Sequence, residues 1–407
     1  MNNESTRGKL FEPPLSIREA CMQASSFLER ERVTEPREHA ELLLMHLLGS
    51  ERAALLRDWN EPFPAERLAE WERLLRRKAA GEPLQYIVGE QWFYGRPFKV
   101  TPAVLIPRPE TELLVEAVLE EADALWPEAA LATGMGAEAL RPEAGARLGE
   151  PQGESGSDPL DAGMNAAPGH SEEGLPGAAE AAGSGERTIA SSTPRPEGGV
   201  AGGRIFRRGA SFAGTGAEAP VVLDVGTGSG AIAVTLAAER PRWRVCATDI
   251  SPDALDIACR NASGLGTAER MLFTQGDLLK PYLNGEQFGG IAAGLAVDVL
   301  VSNPPYIPEG DIPHLQREVR DYEPRLALDG GADGLDPYRR MLDQLDGLAR
   351  IPRIVAFELG IYQAGEVAAL LKSRGHWDRI RIVSDYGGIE RHVLAIRSQN
   401  ETNLAKI

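Results

Sequence analysis

Val297-Asp298-Val299-Leu300-Val301-Ser302-Asn303-Pro304-Pro305-Tyr306 is an apolar run interrupted only at Asp298 that ends in Asn-Pro-Pro-Tyr. Two consecutive prolines fix φ and remove backbone donors, so the strand predicted over Val297 to Val301 must stop there. In an open parallel α/β sheet, ligands bind beyond the carboxyl ends of the strands. The tetrapeptide therefore belongs on the rim of a pocket, with Asn303 aimed into it and the proline pair making the rim rigid.

Such a rim suits one kind of chemistry. An amide or aromatic amine nitrogen is a poor nucleophile because its lone pair is delocalised, and attack on an electrophile requires that lone pair to be turned out of conjugation. The Asn303 side-chain carbonyl and the Pro304 backbone carbonyl can accept the two N–H hydrogens and aim the remaining lobe at a methyl donor, which is catalysis by positioning. Tyr306 offers a flat face for a planar amide or base. A proline-terminated strand whose Asn merely caps a turn is the competing reading.

The surroundings of this stretch decide between the two. Strands are predicted at Val221 to Val225, Val245 to Thr248, Met271 to Thr274, Val297 to Val301, Ile354 to Glu358, Ile380 to Val383 and His392 to Ile396. Helices are predicted at Ala231 to Glu239, Pro252 to Asn261, Tyr338 to Leu348 and Gln363 to Arg374. This alternation is that of a doubly wound α/β sheet, and the short connection between the last two strands predicts an antiparallel edge. Leu223-Asp224-Val225-Gly226-Thr227-Gly228-Ser229-Gly230 joins the first strand to the first helix, with glycines where a ligand would approach the backbone closely. Asp249 ends the next strand, where an acid can hold a ribose diol, although it could also serve only as a cap before Ser251-Pro252. Gly276-Asp277-Leu278 ends the third strand, so that Asp277 could accept from an adenine amino group with Leu278 packed on the ring. Gly226, Thr227, Gly228, Ser229, Gly230, Asp249, Asp277, Leu278 and Asn303 are thus candidate contacts for S-adenosylmethionine. Asn303, Pro304, Pro305 and Tyr306 are the candidate catalytic residues.

The rest of the chain frames this domain. With 407 residues, two or three domains fit. Apolar residues from Leu15 to Ala80 repeat at helical spacing, which predicts a small helical domain with solvated faces such as Arg73-Arg76-Arg77-Lys78. Gly81 to Val100 looks like a β-hairpin connector, and Pro109 with its neighbouring acids opens a helix running to about Leu125. Residues 127–219 hold 19 of the 44 glycines, two aromatics, and 13 acids against 7 arginines, a composition that predicts a disordered insertion. The expected boundaries are a helical domain at 1–90, a connector at 91–107, a catalytic domain at 108–126 plus 220–398, and the insertion at 127–219. The net charge of −17 argues against a general nucleic-acid binder and for a protein partner. Cys21, Cys246 and Cys259 lie far apart, so neither a disulfide framework nor a metal site is expected. Met1 to Pro14 has no secretory apolar segment and no run is long enough to span a membrane, so a cytoplasmic protein is expected; a monomer is expected as well.

Beyond these patterns, the chain resembles the release factor glutamine methyltransferases of the HemK/PrmC type. The resemblance is carried by Pro83-Leu84-Gln85-Tyr86-Ile87-Val88-Gly89, Phe93-Tyr94-Gly95, Leu105-Ile106-Pro107-Arg108-Pro109-Glu110-Thr111-Glu112, Asp224 to Gly230 and Asn303 to Ile307. It continues in Glu323-Pro324 with Ala327-Leu328, in Asp333-Gly334-Leu335, and in Glu358-Leu359-Gly360 with Gln363. It implies a class I, Rossmann-like methyltransferase with a helical N-terminal domain that contacts peptide chain release factors. It also implies methylation by S-adenosylmethionine of N5 of the glutamine in their Gly-Gly-Gln motif. Leu278 stands where an aromatic residue is often found. An adenine-N6 nucleic acid methyltransferase using the same Asn-Pro-Pro-Tyr on a flipped base, and a non-catalytic cofactor-binding adaptor, are the alternatives.

Overall fold

A computed structural model of the chain describes residues 10–127, 204–209, 219–285 and 290–398. The N-terminal helices are α1 (Ile17–Arg30), α2 (Pro36–Leu48), α3 (Arg52–Arg57), α4 (Leu68–Ala79) and α5 (Leu84–Val88). Ser16 caps α1 in a reciprocal capping box with Glu19, and Gly49 ends α2 in the left-handed conformation. Their apolar stripes enclose a core that includes Leu28, Leu43, Leu44, Trp71 and Leu75. Lys78, expected on a solvated face, is instead 1% exposed. Its Nζ lies 2.6 Å from Glu318 Oε1, and the Tyr322 hydroxyl donates to the Ala80 carbonyl at 3.0 Å. The helical domain is thereby tied to the segment that follows Asn-Pro-Pro-Tyr. The segment expected as a hairpin from Gly81 onward begins with α5 and only then forms β1 (Glu90–Phe93) and β2 (Arg96–Lys99). Leu84, Tyr86 and Ile87 of this helix are buried, with Tyr86 donating its hydroxyl to the Val104 carbonyl at 2.6 Å.

The sheet-bearing part of the chain starts with α6 (Glu110–Leu125). It continues through β3 (Arg204–Arg208), β4 (Val221–Val225), α7 (Ala231–Glu239), β5 (Arg244–Asp249), α8 (Pro252–Gly264), β6 (Met271–Gln275), β7 (Val299–Ser302), α9 (Arg317–Tyr322) and α10 (Asp336–Gln344). The last elements are β8 (Ile354–Glu358), α11 (Ala364–Ser373), β9 (Arg379–Ser384) and β10 (Glu390–Ile396). The sheet order is β3-β6-β5-β4-β7-β8-β10-β9. The strands from β6 to β8 are parallel, and β10 and β9 add the expected antiparallel edge. All residues of β4, β7 and β8 are buried, as strands covered on both faces must be. One face packs α6, α7 and α8, and the other packs α10 and α11. The chain runs outward in opposite directions from β4 and β7, so the crevice between their carboxyl ends is the switch point.

The sheet has eight strands where the sequence predicted seven. The extra strand, β3, pairs antiparallel with β6 and falls inside the stretch expected to be wholly disordered. Its residues, Arg-Ile-Phe-Arg-Arg, are a short β-compatible island in a Gly-rich composition, which an average over 93 residues hides. Phe206 packs on the core, and Arg204 donates to Gln275 Oε1 at 2.5 Å. The remainder of the expected insertion, 128–203 and 210–218, lies outside the described residues. Phe206→Ala should lower stability by about 1.5–2.5 kcal/mol, roughly half the cost of a fully buried Phe. Thermal melts of the variant and the parent check this, and an unchanged Tm would show that β3 contributes nothing to the edge.

Candidate active site

A cavity of about 280 Å³ opens at the switch point, bounded by the loops after β4, β5, β6 and β7 and by the start of α6. In the first loop, Gly226 and Gly228 have φ of +71° and +54°, and a Cβ built on either would meet nothing within 4 Å. Those two positions are a cradle: glycine is required by the backbone, and the space beside it faces the cavity. Thr227 and Ser229 also line it, whereas Gly230 serves as the left-handed N-cap of α7 and is not among the lining residues.

Asp249 is buried at the end of β5. Its Oδ2 accepts from the Gly228 N–H at 2.9 Å and its Oδ1 from the Ser251 N–H at 2.9 Å, while Ser251 itself caps α8 through the Ala254 N–H. The capping role therefore belongs to Ser251, and the Asp249 carboxylate joins the glycine loop to the cavity wall. Burial raises its pKa, against the hydrogen bonds from Ser251 and Gly228. Asp277 and Leu278 lie in the same wall. Arg340 and Lys280 approach Asp277 Oδ2 at 2.5 and 2.9 Å. Burial acts upward on Asp277, but the hydrogen bond from Lys280 and the charge of Arg340 outweigh it and hold the carboxyl below its usual range. Leu278 has φ of +54°, an uncommon conformation for a residue with a side chain.

Asn303 and Pro305 line the cavity. Pro304 is buried, and Tyr306 turns toward the core. Three sets of hydrogen bonds fix this rim. Ser302 donates its hydroxyl to the Val225 carbonyl at 2.6 Å, which ties the end of β7 to the end of β4. The Ile307 N–H donates to Leu328 O at 3.0 Å and the Gly330 N–H to Ile307 O at 2.9 Å. Gln363 donates to the Tyr306 carbonyl at 3.0 Å and accepts from the Gly360 N–H at 2.9 Å. Gly334 packs so close that a Cβ there would collide with the Tyr306 carbonyl. Burial, reinforced by the charge of Glu358, pushes the Tyr306 hydroxyl up to about 12, so it remains a neutral phenol.

Pattern reading did not single out Thr111, Arg108 or Arg340. Thr111, buried on the first turn of α6, accepts from Asn303 Nδ2 at 3.3 Å, which leaves the Asn303 carbonyl as the other branch of the amide. Arg108 lines the cavity and donates to Glu323 Oε1 at 2.5 Å. Both stand in Pro-Arg-Pro-Glu-Thr-Glu, which spacing marked only as a helix start. Their partners are about 200 residues away, and no local periodicity could reveal the pairing.

An open glycine cradle, a buried carboxylate on the second strand end and an amide rim on the fourth fit S-adenosylmethionine, and together with the doubly wound sheet they define a class I methyltransferase. The comparisons with known proteins specify it further. Residues 19–89 match the PrmC N-terminal domain and residues 222–308 a methyltransferase domain. The chain is 34% identical to a release factor glutamine methyltransferase of Moorella thermoacetica, over 95% of this chain and 100% of that protein. It is 33% identical to that of Chlorobaculum tepidum, over 92% and 95%, and 32% identical to that of Bacillus subtilis, over 95% and 99%. The chain belongs to the release factor glutamine methyltransferase family. It is an enzyme that uses S-adenosylmethionine, and the adenine-N6 and adaptor readings are not favoured. Among the described residues no helix is long and apolar enough to cross a membrane, and no group of His, Cys, Asp and Glu could hold a metal.

Two predictions follow from this geometry. Thr111→Val keeps the shape of the side chain and removes the Asn303 partner, so kcat should fall about tenfold, the equivalent of roughly 1.4 kcal/mol, with cofactor affinity retained. An undiminished kcat would show that Asn303 is oriented without Thr111. The second concerns Asp224, whose carboxyl burial lifts to about 7 against hydrogen bonds from Thr227 and Ala233. A folded pKa above the unfolded value means that this group's contribution to stability is complete below about pH 4 and is lost as the pH rises to about 7. Asp224→Asn removes the titration, so its Tm relative to the parent should climb between those pH values. A constant difference across the range would contradict the shift.

Proposed function

We propose that the enzyme methylates N5 of a glutamine side chain in the Gly-Gly-Gln motif of peptide chain release factors, with Asn303 and the Pro304 carbonyl holding the amide. The observation that carries this reading is the Asn303 geometry: its Nδ2 engaged by Thr111 on a rim that Ser302, Gln363 and Ile307 immobilise. Two carbonyl acceptors on a rigid rim match the two N–H hydrogens of a primary amide and turn its lone pair toward the cavity. Pro305 shapes the same rim, and Tyr306, turned toward the core, supports it from behind. Bound S-adenosylmethionine supplies a methyl already activated by its sulfonium. The protein therefore needs to align the nitrogen and to accept hydrogen bonds that strengthen as positive charge develops on it. No base is required before transfer, which agrees with Tyr306 remaining a phenol.

The cofactor side is assigned in the same way. Gly226 to Ser229 would cradle the methionine portion, with Gly230 starting the helix behind them, and Asp249 would receive the ribose diol. Asp277 and Leu278 would border the adenine, with Leu278 held in its uncommon backbone conformation to present its side chain. Asp277 already carries Arg340 and Lys280, so its part is to fix that wall as much as to accept from the base. A protein partner that acts in translation would put the reaction in the cytoplasm.

Asn303→Ala should abolish transfer to a purified release factor while leaving cofactor binding within about tenfold, or 1.4 kcal/mol. Labelled methyl is followed into wild-type factor and into factor with the motif glutamine replaced. Near-normal turnover by the variant, or label in the glutamine-less factor, would overturn the assignment.

A further inference from the structure

Tyr362 is 95% exposed and has φ of +71°. In that left-handed region a Cβ is disfavoured and glycine fits without strain, so the fold itself gains nothing from a tyrosine there. Its place is specific. Tyr362 lies between Gly360, where an added Cβ would come within 3.2 Å of the Tyr306 ring, and Gln363, whose amide donates to the Tyr306 carbonyl at 3.0 Å. The loop that displays the ring is therefore stapled to the back of the Asn303 rim.

A second exposed aromatic stands at the same end of the sheet. Tyr386, 84% exposed, sits in the turn between β9 and β10. The Leu359 N–H donates to Arg391 O at 2.8 Å, so this turn and the Tyr362 loop rise from adjacent strand ends. Asp385 shapes the turn by accepting from the Gly387 and Ile389 N–H groups, both at 2.9 Å, and Arg391 reaches it at 3.3 Å. Two rings are thus held outward on well-braced loops. Tyrosine brings contact area at low conformational cost and is enriched among the residues that dominate protein interfaces.

From this placement we infer that Tyr362 is a contact residue for the protein substrate, its ring packing on the chain that flanks the target glutamine, with Tyr386 extending the same surface. The inference rests on the proposed reaction. A glutamine side chain is short, so the backbone carrying it must cross the mouth where Asn303 stands, and the residues beside that mouth must be covered by the partner. A protein is the occupant because the cavity receives one side chain and the rings lie outside it, where only the flanking chain can reach.

The test compares Tyr362→Gly, Tyr362→Phe and the parent on an intact release factor and on a short peptide limited to the Gly-Gly-Gln motif. Tyr362→Gly should raise KM for the intact factor about tenfold with kcat little changed, bind S-adenosylhomocysteine as the parent does, and melt no lower than the parent. Tyr362→Phe should behave like the parent, and all three should use the peptide equally. An unchanged KM for the intact factor in Tyr362→Gly, or an equal loss on the peptide, would overturn the inference. A parent enzyme that leaves the factor's glutamine unmethylated would instead overturn the reaction, and the contact with it.

Discussion

The site depends on the pairing of β4 with β7. These two parallel strands lie side by side although the sequence separates them by more than seventy residues, and the chain departs from them in opposite directions. The junction is pinned at both ends. At the amino ends, Val221 N–H donates to Asp298 Oδ2 at 2.9 Å while Asp298 N–H donates to Val221 O at 2.8 Å, and Arg350 pairs with the same carboxylate. At the carboxyl ends, Ser302 bonds Val225 O. Because the strands cannot slide, the glycine loop and the Asn-Pro-Pro-Tyr rim face each other at a fixed separation, and methyl transfer by alignment requires that fixed separation.

Rigidity of the rim is then built outward. Two prolines restrict φ within it, but they do not hold its carbonyls in place. That is done by residues well beyond it in the sequence: Leu328 and Gly330 bracket Ile307, Gln363 grips the Tyr306 carbonyl, and Gly334 leaves that carbonyl the room it needs. Thr111 approaches from the opposite side on α6. Motifs that read in the sequence as scattered family markers are in space a single brace around four residues.

This explains what could and could not be read from the sequence. Strand and helix alternation, the glycine loop and the terminating prolines are local signals, so the doubly wound sheet is legible, and so is the placing of Asp249 and Asn303 at strand ends that border the cavity. Long-range pairings are not. Helical spacing marks Lys78 as a surface cation because it cannot see Glu318, and marks Thr111 only as a helix-start residue because its partner is distant. β3 was missed for a different reason: five residues of strand were outvoted by the glycines around them, and an edge strand pairs on one side only. The short helix Leu84–Val88 hid in a hairpin because its aromatic and β-branched residues suit either state.

Placing the carboxyl groups of Asp224 and Asp249 away from water, beside the start of α7 and under the glycine loop, works against the fold. Both are raised by burial, and the Asp224 Oδ1 has no hydrogen-bond partner among the described residues. An apolar pair would be easier to bury. What the carboxylates provide is acceptors for donors that a small all-carbon side chain cannot receive: Asp224 takes the Thr227 hydroxyl and the Ala233 N–H, and Asp249 takes the Gly228 and Ser251 N–H groups. Those bonds hold the glycine loop open in a left-handed path that glycine alone would leave loosely defined. The loop is thus kept in one conformation at the expense of stability near neutral pH, a trade of the last increment of stability for a preorganised loop.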